Sequence, residues 1–332
     1  MERIAVLTSG GDAPGMNAAI RAVVRQGLHH GLKVFGIRRG FAGLMAGEME
    51  ELATRQVGDI LQRGGTILRS ARSPEFKTDV GLASAMAQLE RRGIEGLVVI
   101  GGNGSFRGGL DLAERGIRVV GIPASIDNDI GGTDFSIGFD TAVNTVLDAV
   151  NKIRDTASSH ARVYVIEVMG RNAGFIAVAA GLAGGAEAVL IPELPYDLGQ
   201  IARQVKAGYE RGKSHSIILV AEGIFGDPVA GLAGSYASAF RIGQALMDMT
   251  GFETRITVLG HLQRGGTPTA MDRLIATRSG EIAVRLLMAG ESRVMVGFSG
   301  NEPRVMDLAR ALEIKRRIDP ADVELINTLA VT

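Results

Sequence analysis

The sequence predicts an α/β fold with mainly parallel sheets, and three observations carry that prediction. Short apolar, β-branched runs recur along the chain with amphipathic segments between them, as layered strands and helices require. The runs are continuous rather than alternating, which suits strands covered on both faces. Glycine makes up 46 of 332 residues, about twice the usual ~7%, and collects just after the runs, where open parallel sheets bind ligands.

In chain order, residues 3–7 form the first strand and 16–28 a helix with apolar positions three and four apart. Strands follow at 33–37 and 96–100, separated by a helix over 81–91. The strand at 119–122 leads to a helix over 142–153, and the strand at 163–168 to a Gly/Ala-rich helix within 174–186. Strands at 188–191 and 216–220 bracket a helix over 201–209. Strands at 256–259 and 294–296 bracket the last helix, over 272–287. With 46% hydrophobic residues the chain can bury a large core, and its length suits two domains. Topology places the boundaries near Gly138 and Glu253, giving 1–138 plus 253–303 and 139–252 plus 304–332. Residues 225–239, rich in Gly, Ala and Ser, are expected to be a surface insertion.

Composition excludes several functions. With no cysteine there are no disulfides or thiolate metal sites, and the chain suits a reducing cytosol. Thirty-six basic side chains against 36 acidic ones leave no basic excess for nucleic acid or an anionic membrane. The start has no secretory leader pattern, and 174–186 is too short for a membrane span. Five histidines without a metal-ligand spacing argue against a histidine-bound metal.

Three glycine-rich turns carry the chemistry. Thr8-Ser9-Gly10-Gly11-Asp12-Ala13-Pro14-Gly15 follows the first strand and opens a helix, offering backbone N–H groups to an anion. A plain tight turn is the competing explanation for that segment alone. Gly101-Gly102-Asn103-Gly104-Ser105 repeats the arrangement, so a polyphosphate could span neighbouring strand ends. The third, Pro123-Ala124-Ser125-Ile126-Asp127-Asn128-Asp129-Ile130-Gly131-Gly132, carries two carboxylates that an extended chain would point the same way. They are either turn and cap residues or groups for magnesium and a transferable hydroxyl proton.

These turns, with Met169-Gly170-Arg171 and Leu259-Gly260-His261-Leu262-Gln263-Arg264-Gly265-Gly266, resemble bacterial ATP-dependent 6-phosphofructokinases, in that family's order. The resemblance implies two three-layer α/β/α domains with the active site in the cleft between them. It implies a kinase of glycolysis that transfers phosphate from MgATP to the 1-hydroxyl of fructose 6-phosphate, as a cytoplasmic homotetramer with active sites shared between subunits. Asp127 matches the catalytic base, flanked by Ser125 and by Asp129 beside the metal. Gly11, Arg72 and Arg171 match groups around the transferring phosphoryl, and Gly102, Gly104 and Ser105 the ATP cradle, with Ser73 and Asn103 alongside. Arg162, Met169, Gly170, Glu222, Arg255, His261 and Arg264 match sugar-phosphate contacts, Arg162 and Arg255 reaching in from a neighbouring subunit. Arg21, Arg25, Arg55, Arg154, Gly185, Glu187, Arg211 and Lys213 match an effector pocket for ADP or phosphoenolpyruvate; an exposed basic stripe is the alternative.

Some residues depart from that pattern. Asn103 stands where the family has Asp, which removes a charge from the magnesium site. Ser73 and Arg107 alter the purine surroundings, and Thr54 and Ser214 replace basic effector contacts, so allosteric control is expected to be weak. Two other functions compete with the kinase: a pyrophosphate-dependent phosphofructokinase, disfavoured by small residues at Gly104 and Ala124, and a sugar-phosphate or nucleotide-binding subunit without catalysis. A dinucleotide dehydrogenase is excluded by the missing G-x-G-x-x-G fingerprint.

Overall fold

The computed structural model describes residues 1–157, 162–225 and 237–330. The chain divides into two compact units: Met1–Ile126 with Ile130–Thr141 and Arg264–Arg316, and Asp127–Asp129 with Ala142–Gln263 and the chain from Arg317 on.

In the first unit, strands β1 (Arg3–Thr8), β2 (Lys33–Ile37), β3 (Met49–Glu51), β4 (Gly96–Gly101), β5 (Arg118–Pro123), β10 (Val294–Ser299) and β11 (Glu302–Asp307) form one sheet. Its order is β11-β10-β5-β4-β1-β2-β3. The five inner strands are parallel, with Val6 opposite both Gly36 and Val98. The edge strands β3 and β11 are antiparallel and were not expected. β3 is three residues long, and β11 carries Pro303 and charged, mostly exposed side chains, so neither shows an apolar run; such features suit a sheet edge.

One face of this sheet is covered by α1 (Met16–His29) and α9 (Ala270–Met288). These two helices pack closely because a Cβ on Gly280 would lie 2.5 Å from that of Ala22. The other face holds α2 (Gly40–Met45), α3 (Asp79–Arg92), α4 (Asn103–Ala113) and α10 (Leu308–Glu313) around Leu7, Leu97, Val99, Phe106 and Val119. Phe41 and Phe76 stack there at 4.1 Å.

The second unit has a wholly parallel sheet of β6 (Arg162–Val168), β7 (Ala188–Leu190), β8 (His215–Ala221) and β9 (Thr254–Val258), in the order β7-β8-β6-β9. α7 (Leu198–Glu210) and α8 (Ala237–Thr250) bury one face against Val163, Val165, Ile218 and Val220. α5 (Phe139–Ala157), α6 (Phe175–Gly184) and α11 (Pro320–Ala330) lie on the other, where Gly181 meets Val189 and Ile326 and Gly184 meets Leu147 and Val150.

The crossings between units differ from the expected ones. β9 pairs with β6, so the chain returns at Gln263/Arg264 rather than near Glu253. β11 pairs with β10 and α10 packs on α4, so the last crossing falls at Arg316/Arg317 rather than after residue 303. Of the expected insertion, 226–236 lies outside the described residues, and its far end opens α8. The 174–186 stretch is α6 with the approach to β7, and no described helix is long and apolar enough to cross a membrane.

Candidate active site

In the first unit three loops gather at the C-terminal ends of β1, β4 and β5. Ser9 N donates to Ile100 O at 3.0 Å, tying the first loop to β4. Gly10, with φ +87°, turns the chain out, and Gly15, with φ +107°, opens α1. A Cβ on Gly11 would sit 2.6 Å from Arg264 Nη1, and that guanidinium donates to Asp12 O at 3.2 Å. Glycine here lets a cation 253 residues away lie on the loop. Asn17, which sequence reasoning left without a role, is buried and holds the neighbouring loop: its amide donates to Arg63 O and Gly64 O and accepts from Ile67 N. Its signal was a polar residue on the apolar face of α1.

The second loop ends in α4, whose first turn holds no acidic residue, leaving its positive end uncompensated. Gly104 is exposed, with nothing within 4 Å of where a Cβ would be, and Asn103 is half-buried beside it. Ser105 is buried: a Cβ on Gly101 would meet its Oγ and Ser9 O at 2.5 Å, so it packs beneath the glycines. Arg72 and Arg107 are exposed, while Ser73 Oγ accepts from Phe76 N at 3.4 Å and caps a local turn. In the third loop Ala124 N donates to Gly101 O and Ser125 N to Ile137 O. Ser125 Cβ lies 3.9 Å from the position a Cβ on Gly102 would take.

The second unit holds a buried carboxylate of the third loop. Asp127 is 4% exposed, and Arg171 Nε lies 3.6 Å from its Oδ2. The expectation that Asp127 and Asp129 point the same way assumed extended backbone. Asn128 has φ +52°, a left-handed turn, which leaves Asp127 buried and Asp129 half-buried. Arg171 is left-handed too, with φ +52°, after Gly170 at φ +141°. The cost of that turn is offset by Glu222, whose Oε1 accepts from Gly170 N at 3.2 Å and Arg171 N at 2.8 Å. Met169 N donates to the side chain of the fully buried Gln263, which in turn donates to Gly260 O.

Met169, Glu222, Gly260 and His261 line one small pocket with Glu167, which sequence reasoning missed. The available signal was a glutamate inside the apolar run of β6. Burial, with help from the charge of Glu222, pushes its carboxyl up to about 7, against the pull of an N–H from Ala239.

Arg162 and Arg255 are not brought to this pocket within one chain. They lie at the N-terminal ends of β6 and β9, both paired with Glu253, Arg162 Nε at 2.7 Å from its carboxylate. β6 has seven residues, which at ~3.3 Å each puts Arg162 roughly 20 Å from the Met169 end.

Among the effector candidates, Arg154 donates to Gly184 O and Gly185 O, and Lys213 pairs with Glu187 at 3.3 Å and donates to Ala330 O. Burial lowers the pKa of His215, with Glu187 opposing the shift and Arg154 and Lys213 adding to it. Glu187, Arg211, Lys213 and Arg203 help line a cavity of about 250 Å³. Arg21, Arg25 and Arg55 belong to the first unit; burial and then Arg25 lower the pKa of Arg21.

The family profile described as phosphofructokinase matches residues 3–287. A protein of Halothermothrix orenii named ATP-dependent 6-phosphofructokinase is 54% identical over 332 residues, covering 100% of each chain. One of the same name from Bacillus subtilis is 53% identical over 331 residues, again covering 100% of each. The solved phosphofructokinase of Saccharomyces cerevisiae has a TM-score of 0.85 at 35% identity, covering 100% of this chain and 48% of that one. A pyrophosphate-dependent phosphofructokinase from Marinobacter aquaeolei shares the fold, with a TM-score of 0.80 at 22% identity, covering 97% of this chain and 86% of that one. With the motifs in order on the fold of those enzymes and full-length identity above half, the chain belongs to the phosphofructokinase family.

Proposed function

We propose that the protein is an ATP-dependent 6-phosphofructokinase, transferring the γ-phosphoryl of ATP to the 1-hydroxyl of fructose 6-phosphate. The observation that carries this reading is the buried Asp127 beside Arg171, a base next to a cation. Phosphoryl transfer demands mainly positioning and charge neutralisation. Asp127 takes the hydroxyl proton, and Arg171, Arg72 and the N–H of Gly11 face the transferring group. Gly102, Asn103, Gly104 and Ser105 form the nucleotide cradle at the α4 N-terminus, Ser105 by supporting the glycines from below, with Ser73 alongside. Glu222, Met169, Gly170, His261 and Arg264 hold the sugar phosphate. The open space at Gly104 and the small Ala124 favour a nucleotide over pyrophosphate, as do relatives named for ATP. Purified protein is expected to form fructose 1,6-bisphosphate with MgATP, and at least about a hundredfold more slowly with magnesium pyrophosphate. No product with ATP would sink the reading.

The donor chemistry fits magnesium. Asp129 offers carboxylate oxygens and Asn103 an amide oxygen, and a magnesium ion carried on a nucleotide needs just one or two carboxylates and keeps its waters. Asp129, with Asn103, would hold it, and it would supply neutralising charge to the phosphates. Because Asn103 brings no charge, Asn103→Asp is expected to lower the magnesium concentration for half-maximal rate by about threefold to tenfold. That comparison is made by titrating magnesium at fixed ATP; unchanged or higher demand contradicts the assignment.

The position of Arg162 and Arg255 at the far ends of their strands supports their serving a neighbouring subunit, hence a homotetramer with shared active sites. This is tested by mass in solution and by rescue of activity in mixed R162A and D127S oligomers. The cavity beside Glu187, Arg211 and Lys213 supports an effector site for ADP or phosphoenolpyruvate. With Thr54 and Ser214 uncharged, phosphoenolpyruvate is expected to inhibit weakly; strong sigmoidal inhibition relieved by ADP would contradict this. A glycolytic role would suit a cytoplasmic protein.

A further inference from the structure

We infer that Glu167 is a positioning residue for the sugar end of the reaction, acting through Glu222 on the turn at Gly170 and Arg171. This rests on the phosphofructokinase reading above.

Glu167 is buried, 2% exposed, within an otherwise apolar stretch of β6, where a carboxyl is retained at a cost unless it is bonded. Its Oε2 accepts from Ala239 N at 2.9 Å. Ala239 lies in the first turn of α8, so a strand side chain takes up one of the free N–H groups of that helix start. The preceding residue, Ser238, is buried and donates from Oγ to Glu222 O at 3.1 Å. Glu222 in turn receives both N–H groups of the left-handed turn at Gly170 and Arg171. The backbone of Glu167 reaches the other wall of the pocket, its carbonyl accepting from Leu259 N at 3.1 Å just before the His261 turn. One residue therefore ties the α8 start, Glu222 and the turn that carries His261 to a single strand.

The two carboxyls share a pocket with His261, and among the described residues Glu222 is the charged group that acts on Glu167. A Glu167 held partly protonated near neutrality repels Glu222 less than a fixed charge would, so Glu222 stays seated over the turn. Loss of the anchor frees Glu222, and the pocket that grips the sugar phosphate loosens while the nucleotide cradle, built in the other unit, is untouched.

Three variants test this. Glu167→Ala is expected to raise the KM for fructose 6-phosphate about tenfold while the KM for ATP moves less than about twofold. Glu167→Gln keeps an oxygen for Ala239 N and is expected to stay within about threefold of wild type for both. Ser238→Ala, which removes only the bond to Glu222 O, is expected to raise the sugar KM about threefold. A residue that merely stabilised the core would lower melting temperature without this split. The inference is overturned if E167A shifts both KM values equally or neither, or if E167Q is as impaired as E167A. Should E167A not fold, S238A decides: an unchanged sugar KM overturns the inference, and a selective rise supports it. A wild-type protein without kinase activity sinks the kinase reading and this inference together; an active wild type with no split sinks the inference alone.

Discussion

Asp127→Ser is expected to lower kcat by about 10² to 10⁴-fold, the range that a positioned base contributes, with smaller changes in either KM. Asp127 is the buried carboxylate beside Arg171, and serine cannot take a proton from the attacking hydroxyl. The companion change Asp127→Asn separates chemistry from architecture. Asparagine preserves size and one acceptor oxygen, so a purely structural Asp127 would tolerate it, whereas a base would not. Equal loss in D127S and D127N, with melting temperatures near wild type, is the expected pattern. A D127N rate within tenfold of wild type would remove Asp127 from the role of base. Removing the carboxylate also frees Arg171, whose side chain is 64% exposed. Ground-state binding of the anionic donor should therefore hold or tighten, which a steady-state KM for ATP will register.

The inner strands were legible because each is an uninterrupted apolar run, and burial on both faces leaves such a run no other stable place. The glycine turns were legible too, since Gly10, Gly15 and Gly170 take backbone angles that other residues resist. What local pattern could not carry was partnership over distance. Gly11 and Arg264 meet across 253 residues, and nothing near Arg264 says that its guanidinium rests on a glycine loop. The left-handed Asn128 and Arg171 are held by tertiary hydrogen bonds or packing, so an extended reading of the Asp127–Asp129 segment failed at its middle residue. β11 was hidden by Pro303 and by its charges, the features that keep an edge strand from pairing further. Glu167 was in plain view in β6, but its partner Ala239 follows an irregular stretch of sequence and gives no local cue.

Asp272→Ala is expected to cost about 3–5 kcal/mol at pH 7 and to lower the melting temperature by about 10 °C, read by circular dichroism. Asp272 is 1% exposed in the first turn of α9, and its carboxylate receives Gly138 N, Thr141 N and the Thr141 hydroxyl, at the start of α5. Thr269, which caps α9, donates its hydroxyl to Asp140 and its N–H to Thr141 Oγ1, closing a network in which few members can turn to water. Alanine leaves three buried donors unmet, the most expensive way to lose a hydrogen bond. The pH dependence has a definite sign. Burial raises the Asp272 carboxyl to about 6 from 3.8, against the three hydrogen bonds that pull it down. Between those values the folded chain binds more protons at this site than the unfolded chain, so its contribution is full below about pH 4 and shrinks as pH rises through 6. The difference is about 3 kcal/mol at ~1.4 kcal/mol per unit. Asp272→Asn does not titrate, so the margin of wild type over D272N should narrow between pH 4 and 6 and then stay level. Parallel stability curves for the two proteins across that window would show that Asp272 stays ionised, its three donors outweighing burial.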